Sequence, residues 1–452
     1  MNILYVHTHD SGHYFSPYGF DVKTPNIQDF ADDAVVFNNA HCVSPTCSPS
    51  RAALLTGKYP HQIGMLGLSQ RGFDMDFSQH LVRFLKKYRY HTVLCGIQHE
   101  ASWYLEHEKG ANIIGYDENL TGDISGYEQE ELVHWDYKNS TNASKWLDSY
   151  VSESPFFLSF GMYSTHRRYP KEILDSIDVD KVKPPDNIIN NEVTRTDHAQ
   201  FMTSLYAADE AFGEVIQALK RNNLYDDTLI IFTTDHGLAN PFTKCNLYEA
   251  GTHVALMIRN PRLKNQGSYV HQMVSHLDVF PTICDILEID KPNDLEGVSL
   301  EPILKGSSEM CHDYLFGEIN FHTSYEPIRS VKTNRYKYIK YYDDYDLINR
   351  SNIDSSITKD FYMNNGLSEI KKNREQLFDL YYDPNEKNNL IDDDDYESIK
   401  VAMRNQLEKH LNDSDDYLVN GLIRIKDEWK VNKRECINAS SKNAEDYVSL
   451  GR

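Results

Sequence analysis

The sequence predicts an α/β fold with a mostly parallel central sheet, helices on both of its faces, and a smaller C-terminal α+β domain. Three observations lead to this class. Short runs rich in β-branched and aromatic residues recur at 2–7, 34–37, 92–95, 156–160, 229–233 and 254–258. Amphipathic helical stretches such as 203–221 lie between them, and this alternation is typical of parallel sheets. The chain has 452 residues, which is long for one core and fits a large domain plus a smaller one.

The sequence pattern changes after residue 310. A strand is predicted at 336–342, and a strand followed by a turn at 376–389. We therefore expect a larger domain at 1–310, and a smaller domain at 311–452 that completes the substrate pocket.

Composition narrows the range of partners. The chain has 46 Lys and Arg against 68 Asp and Glu, which gives a formal net charge of −22. Such a chain repels nucleic acid and anionic membranes at long range, so neither is expected as a partner. A long polyanion would feel the same repulsion more than a small anion, which favours short substrates.

Two further features bear on location. Residues 2–7 form only a brief apolar run with no basic segment before it, and no run approaches a membrane span. The 7 cysteines are scattered and odd in number, so they do not suggest a disulfide framework. We therefore expect a reducing compartment, the cytoplasm.

Histidines and aspartates come directly after several predicted strands. In parallel sheets, ligands bind beyond the carboxyl ends of the strands, so side chains at those ends predict one shared site. Converging aspartates would make a hard oxygen site suited to Ca²⁺ or Mg²⁺. The residues in question are His9, Asp10, His99, His166, Asp235 and His236.

Cys47 begins a second pattern. Pro49 can open a helix in its first turn, which would place Cys47 at a helix N-terminus where free N–H groups and the dipole favour an anion. Arg51 follows about one turn later and can point at the same place. Two interpretations stay open on local grounds: a catalytic cysteine beside a sulfate or phosphate pocket, or a small core cysteine at a helix start.

Residues 47–51, Cys-Ser-Pro-Ser-Arg, are followed by Ala-Ala-Leu-Leu-Thr-Gly at 52–57, and together they closely resemble the signature of type I, formylglycine-dependent sulfatases. Thr-Asp-His-Gly at 234–237 and the stretches 244–251, 277–282 and 377–386 resemble further segments of that family in the same order. The resemblance covers nearly the whole chain, and 44–67 is most similar to sulfamidase-like (heparan N-sulfatase) members. It implies the alkaline-phosphatase-like fold of that superfamily, with a sulfatase catalytic domain at 1–310.

The resemblance also implies an activity and the residues that carry it. The activity is hydrolysis of sulfate esters or sulfamates, here of sulfated sugars such as glycosaminoglycan fragments. A maturase oxidises Cys47 to formylglycine (3-oxoalanine), whose hydrate is the nucleophile, and one divalent ion, expected to be Ca²⁺, assists. The catalytic set is Cys47, Arg51, His99, His166 and Lys244. The metal-binding set is His9, Asp10, Cys47, Asp235 and His236, and the substrate-binding candidates are Arg167, His322 and Tyr325.

This chain departs from the family pattern at three places. His9 stands where relatives usually have a second aspartate, and an imidazole favours softer ions such as Zn²⁺ or Mn²⁺. His9 therefore either binds the metal directly or orients Asp10. Ile97 stands where the family has a lysine on the sulfate, and Ser-Thr at 164–165 replaces the sulfamidase Asp-Pro, which leaves N-sulfate specificity open.

Three rival functions follow from the same residues. The first is an arylsulfatase acting on small aryl or steroid sulfates. The second is a phosphonate monoester or phosphodiester hydrolase of the same superfamily. The third, from a different class, is a catalytically silent glycan-binding protein. The complete Cys-x-Pro-Ser-Arg string argues against the third, and the sequence leaves the oligomeric state open.

Overall fold

The protein is described here from a computed structural model, in which residues 1–103, 106–263, 267–307, 309 and 311–448 are described. The strands are β1 (Asn2–Thr8), β2 (Val35–Phe37), β3 (Ala40–His41), β4 (His91–Gly96), β5 (Glu118–Asn119), β6 (Phe156–Gly161), β7 (Thr228–Thr234), β8 (His253–Val254), β9 (Leu256–Arg259), β10 (Ser268–Val270), β11 (Val274–Ser275), β12 (Leu315–Phe321), β13 (Tyr325–Lys332), β14 (Tyr336–Tyr341) and β15 (Glu375–Asp379).

The α-helices connect and cover these strands. They are α1 (Pro25–Ala31), α2 (Cys47–Thr56), α3 (Pro60–Ile63), α4 (Leu81–Lys86), α5 (His107–Ile114), α6 (Leu132–Ser149), α7 (Glu192–Arg221), α8 (Glu249–Thr252), α9 (Val279–Leu287), α10 (Glu301–Leu304), α11 (Ile357–Asn364) and α12 (Glu397–Asp413). Within the described ranges, none of them is long and apolar enough to cross a bilayer.

The central sheet has 8 strands in the order β10-β2-β9-β7-β1-β6-β4-β5. Its centre is parallel, because β1 pairs in parallel with both β6 and β7, and β4 pairs in parallel with β6. Strand β9 runs antiparallel to β2 and β7. Two smaller sheets accompany it, β11-β3-β8 and the antiparallel β12-β13-β14-β15.

Strand β1 shows why both faces of the central sheet are covered. Its side chains alternate between two hydrophobic clusters: Ile3 and Tyr5 enter one, and Leu4 and Val6 enter the other. A strand with an apolar side chain on each face must be buried on both, which requires helices on both sides. The antiparallel sheet has its own core, where Tyr338 of β14 packs with residues of α12.

The predicted α/β class, with helices around a mostly parallel sheet and a C-terminal antiparallel unit, is confirmed. Two elements differ from the sequence prediction. The helix expected at 203–221 is the 30-residue α7, which begins after its cap Asn191. Its early inner face carries the buried polar residues Asp197 and His198, which hide the amphipathic pattern.

The strand expected at 254–258 is divided between two sheets, into β8 and β9. The division occurs at Ala255, whose backbone N–H donates to the carbonyl of Gly12 at 2.9 Å. That hydrogen bond takes Ala255 out of the strand ladder and fixes the loop that follows β1.

Candidate active site

Four adjacent parallel strands bring the predicted site residues together. Strands β4, β6, β1 and β7 lie side by side, so their carboxyl ends meet at one edge of the sheet. The ring centroid of His9 lies 5.7 Å from that of His99, 4.7 Å from that of His166 and 6.4 Å from that of His236. Residues that are far apart in sequence therefore form one buried cluster.

Two buried carboxylates form the centre of this cluster. The backbone N–H of Asp10 donates to Asp235 Oδ1 at 2.9 Å, and Asp10 adopts a left-handed conformation with φ 49°. Aspartate tolerates this region better than most residues, and the turn it makes brings the loop after β1 back against the end of β7. His9 Nδ1 lies 2.9 Å from Asp10 Oδ1 and 3.2 Å from Asp235 Oδ2, so one imidazole bridges both carboxylates.

Cys47 is the first residue of α2, preceded by Thr46 in extended conformation. Its side chain is buried, and Sγ lies 3.4 Å from Nε2 of His236. Donor atoms of His9, Asp10, Cys47 and Asp235 all lie within 4.8 Å of one another. A helix N-terminus thus faces the two carboxylates, as an anion-binding nucleophile position requires.

Arg51 lies in the same helix, one turn after Cys47. Its guanidinium donates to Asp235 Oδ2 at 3.0 Å and to the carbonyl of Thr8 at 3.2 Å, and it also contacts Nδ1 of His7. Because the side chain is buried, water screens its charge little, and it stabilises the ionised carboxylate of Asp235. Arg51 thus supports the centre of the cluster through this carboxylate.

Lys244 pairs with the other carboxylate of the centre, Asp10. Its Nζ donates to Asp10 Oδ2 at 3.0 Å and lies 2.8 Å from Asp354 Oδ2. Burial would raise the pKa of Asp10, but the charges of Lys244, His166 and His236 outweigh this and hold it well below its usual range. Asp10 is therefore ionised, and Lys244 is its charged partner.

The formal charge of the cluster indicates what it can bind. Burial would also raise the pKa of Asp235 and of Asp354, but neighbouring charges hold both pKa values below the usual range. The largest of these charge effects comes from His236 on Asp235 and from Lys244 on Asp354. With the histidines counted as neutral, three carboxylates, Asp10 included, thus face the two cations Lys244 and Arg51, a net charge of minus one. A divalent cation would reverse that sign, as binding of an anionic ester requires.

His99 and His166 complete the group. Burial lowers the pKa of both imidazoles below the usual histidine range. His99 Nε2 lies 3.0 Å from Oε1 of Gln70, an amide oxygen that can only accept, so Nε2 carries the proton and Nδ1 is the basic nitrogen. His166 Nδ1 lies 2.6 Å from the carbonyl of Arg167, which likewise assigns a proton to Nδ1.

The three substrate-binding candidates lie in different surroundings. His322 belongs near the cluster: burial lowers its pKa to about 3, with the charge of Lys244 as the next cause, and its Nδ1 has no hydrogen-bond partner among the described residues. Tyr325 stacks on Phe321 at 4.6 Å, and its hydroxyl accepts from the N–H of Ile423 at 2.9 Å. These contacts favour a packing role for Tyr325, and its contact with substrate stays a prediction.

The guanidinium of Arg167 forms hydrogen bonds with groups outside the cluster. Its guanidinium pairs with both oxygens of Asp197 at 2.6 Å, and it donates to the carbonyl of Ala239 and to Asn240 Oδ1, each at 2.6 Å. The side chain is buried. These contacts favour a role for Arg167 in holding the loop that carries His166, and its role as a substrate ligand stays a prediction.

Sequence reasoning missed Asp354 and Gln70. Asp354 lies in an irregular segment between a short 3₁₀ turn (Arg350–Asn352) and α11, where no strand end or periodic pattern marks it. Gln70 lies in a second 3₁₀ turn (Ser69–Arg71). Ile97, at the place of the family lysine, is buried with Trp135 and Tyr163 and serves packing.

The structure also has a cavity of about 1230 Å³, and none of the catalytic or metal-binding candidates is among its lining residues. Its lining includes His13, three residues after Asp10, and Phe242, two residues before Lys244. Polar side chains and the rings of Tyr14, Phe20 and Tyr248 share the lining, a mixture that suits a polar ligand with flat apolar faces.

Comparison with known proteins places these features in context. The sulfatase family model matches residues 1–289, and a model described as the C-terminal region of N-sulphoglucosamine sulphohydrolase matches residues 235–376. An ulvan-active sulfatase of Formosa agariphila is 26% identical over 438 residues, which cover 94% of this chain and 82% of that protein. N-sulphoglucosamine sulphohydrolase of Homo sapiens is 26% identical over 453 residues, covering 86% and 85% respectively.

Solved structures share the fold. A protein in complex with its substrate D-glucosamine-2-N,6-O-disulfate has a TM-score of 0.68 at 18% identity, covering 92% of this chain and 98% of its own. The phosphonate monoester hydrolase of Agrobacterium radiobacter has a TM-score of 0.65 at 20% identity, covering 91% and 96%. At these identities the likeness concerns the fold alone, and the fold does not separate sulfate from phosphonate chemistry.

Proposed function

The chain belongs to the sulfatase family and is a sulfuric ester hydrolase, and from this premise we propose that it removes sulfate from sulfated sugars through a formylglycine made from Cys47. One observation carries the proposal. Cys47 begins a helix and lies within 4.8 Å of the carboxylates of Asp10 and Asp235, in a pocket that also holds a buried lysine and paired histidines.

The nucleophile is the hydrate of an aldehyde formed at the β-carbon of Cys47. A maturase that recognises the spacing of Pro49 and Arg51 relative to Cys47 oxidises this carbon with loss of the sulfur. One hydroxyl of the hydrate attacks sulfur in line with the leaving oxygen. An unmodified thiol would leave a covalent product with no internal route for release, whereas the hydrate can expel sulfate.

The histidines move the protons. We assign His166 as the proton donor to the departing oxygen or nitrogen through Nε2, because Nδ1–H is held by the carbonyl of Arg167. This role requires the imidazolium: burial lowers the pKa of His166, whereas the charges of Asp10 and Asp354 act to raise it. His99, with Nε2 directed to Gln70, takes the proton from the second hydroxyl through Nδ1. The carbonyl then re-forms and sulfate leaves. Lys244 offsets charge on the sulfuryl oxygens.

The proposed metal site consists of Asp10, Asp235, His236, His9 and the modified residue 47. Its fit to a divalent cation rests on two buried carboxylates, their net negative surroundings, and the buried Nε2 of His9, which has no hydrogen-bond partner in the described part of the chain. When bound, the ion would polarise the nucleophile and the sulfuryl oxygens. We propose Ca²⁺; elemental analysis of the purified enzyme tests this against Zn²⁺ and Mn²⁺, which the imidazoles would favour.

The substrate proposal is a short sulfated sugar, such as a sulfated amino sugar from a glycosaminoglycan. It is supported by relatives named for activity on ulvan and on N-sulphoglucosamine. The net charge of −22 favours short fragments over long polyanions. We leave the position of the sulfate, including N- against O-sulfate, to experiment.

The proposed location is the cytoplasm, with the maturase as a partner during biosynthesis. All seven cysteines are free in the structure, which supports a reducing compartment. Fractionation of the native host, with an antibody against this chain, tests the location directly.

The test of function is a desulfation screen. Matured enzyme is assayed with N-sulfated and 2-, 3-, 4- and 6-O-sulfated hexoses and hexosamines, with 4-nitrophenyl sulfate and a steroid sulfate, and with an aryl phosphonate monoester. We expect at least one sulfated sugar to give the highest kcat/KM. Rapid cleavage of aryl sulfates with every sugar untouched would refute the sugar proposal, and preference for the phosphonate would favour the rival hydrolase.

Matched variants link turnover to the site. Cys47→Ala should be inactive and folded, because a small buried side chain is exchanged for a smaller one. Cys284→Ala removes an equally buried cysteine from α9, and it should keep full activity. If both variants were equally active, turnover would not depend on Cys47 and the proposal would be wrong.

A further inference from the structure

Asp354 is a carboxylate that the mechanism above does not use. It comes from the C-terminal half of the chain and reaches the cluster through Lys244, 2.8 Å away. Its carboxylate oxygen lies within 4.8 Å of donor atoms of Asp10 and His166. Asp354 therefore stands beside the reacting groups, although it belongs to neither the nucleophile nor the proposed general base.

This carboxylate has spare hydrogen-bonding capacity. Among the residues that the structure describes, Lys244 is its one ion-pair partner, and no hydrogen bond from a neighbouring side chain or backbone N–H reaches it. An ionised carboxylate can accept about four hydrogen bonds, so most of its capacity is open. Asp10 and Asp235, in contrast, accept from several neighbours.

The exposure of the side chains shows which side of the cluster is open to a ligand. The side chains of Asp10, Asp235 and Lys244 are 0 to 2% exposed, whereas those of Asp354 and His166 are 17% and 18% exposed. Of the ionisable groups, Asp354 and His166, the proposed proton donor to the leaving group, therefore lie at the open side, where Gln70 beside His99 is also exposed. The group that departs from sulfur must lie on that side.

We propose that Asp354 is a specificity-determining residue that accepts a hydrogen bond from a hydroxyl or amino group next to the sulfated position of the substrate. The inference rests on the proposed function, because it adds a contact to the leaving group of that same reaction. Sugars carry such a donor on the carbon beside the sulfate, and simple aryl sulfates do not. Buried His322, whose Nδ1 has no hydrogen-bond partner among the described residues, lies close enough for the charge of Asp354 to affect its pKa.

The experiment compares two substrates across two variants. Asp354→Asn keeps the shape and removes the charge, and Asp360→Asn makes the same change at an exposed position of α11 as the control. Each enzyme is assayed with the sulfated monosaccharide that the wild type cleaves fastest and with 4-nitrophenyl sulfate. We expect D354N to lower the ratio of kcat/KM for sugar to kcat/KM for aryl sulfate about 10- to 100-fold, as loss of a charged hydrogen bond to substrate implies. D360N should leave the ratio unchanged.

This ratio separates recognition from positioning. If Asp354 only held Lys244, both substrates would lose the same factor, and an unchanged ratio would overturn the inference. A wild type that cleaves aryl sulfate and no sugar would instead overturn the proposed function. These two outcomes are distinct.

A second measurement needs no variant and covers the case in which D354N does not fold. The wild type is assayed with deoxy analogues of the preferred sugar, each lacking one hydroxyl or amino group beside the sulfate. One analogue should lose about 10- to 100-fold in kcat/KM. If every analogue stays within about 3-fold of the parent sugar, no such hydrogen bond exists and the proposal is wrong.

Discussion

Replacing Arg167 by methionine should destabilise the protein without weakening substrate binding. Arg167 and Asp197 have side chains only 6% exposed, and they form two parallel hydrogen bonds of 2.6 Å. The Arg167 charge contributes to holding the pKa of Asp197 below its usual range against the opposing effect of burial. Without that charge, Asp197 keeps the hydrogen bond that the hydroxyl of Thr358 donates to its Oδ2 at 2.6 Å.

The magnitude follows from what is left behind. Breaking a buried ion pair by removing one partner costs about 3–5 kcal/mol, because the remaining charge is neither solvated nor paired. Protonation of Asp197 would limit this cost, so we expect about 3 kcal/mol at pH 7 and less at pH 5. Urea unfolding followed by tryptophan fluorescence measures the loss, with the midpoint compared at a common slope.

The control is the double variant Arg167→Met with Asp197→Leu, which removes both charges and keeps an apolar contact. It should recover most of the lost stability, since replacing a whole buried pair by apolar groups is often close to neutral. KM for the preferred substrate should be unchanged in the single variant. A raised KM with unchanged unfolding would show that Arg167 binds substrate after all, and would refute the reasoning.

Three further predictions concern the cluster and a second buried group. Asp235→Ala should abolish both metal binding and turnover, measured by elemental analysis and by rate; full activity after chelation would contradict the metal assignment. The fraction of Cys47 converted to formylglycine, read from a peptide mass map, should rise together with turnover when a maturase is co-expressed; robust activity from wholly unmodified Cys47 would refute the mechanism. His61 contacts Glu318 and lies 3.7 Å from Asp416; burial opposes protonation, but these carboxylates raise the pKa of His61 above 6.5. The protonated His61 therefore stabilises the fold fully below about pH 6.5, and this stabilisation is lost as pH rises through the higher folded pKa. The free energy of unfolding in urea should fall over that pH range in the wild type and not in His61→Gln. Identical pH profiles for the two proteins would contradict the prediction.

The fold was predictable where side-chain period and burial agree. Strands β1 and β7 are apolar throughout because both faces are covered, and the sequence shows them as continuous runs. The start of α7 was hidden because Asp197 occupies a buried helical position, which only its pairing with Arg167 makes tolerable. The membership in the sulfatase family, inferred from the Cys47 segment and its companions, is confirmed.

Within the site, predictability followed the same division. Side chains at strand ends, such as Asp10 and Asp235, could be placed because the topology forces parallel strands to end together. Asp354 could not, since an irregular segment has no period from which its position follows. Tyr325 stays ambiguous from sequence, because a tyrosine that fills a core and one that lines a pocket look alike there; its contacts with Phe321 and Ile423 favour the core.

The charges explain how a strongly acidic chain can bind an anion. The net charge of −22 is spread over the whole molecule, and salt screens it beyond about 8–10 Å. At the site, the buried carboxylates exceed the cations Lys244 and Arg51 by one charge, so the protein alone would still repel sulfate. A divalent cation would change that balance to plus one, and the start of α2 adds a favourable dipole. On the proposed function, anion binding would therefore depend on the metal.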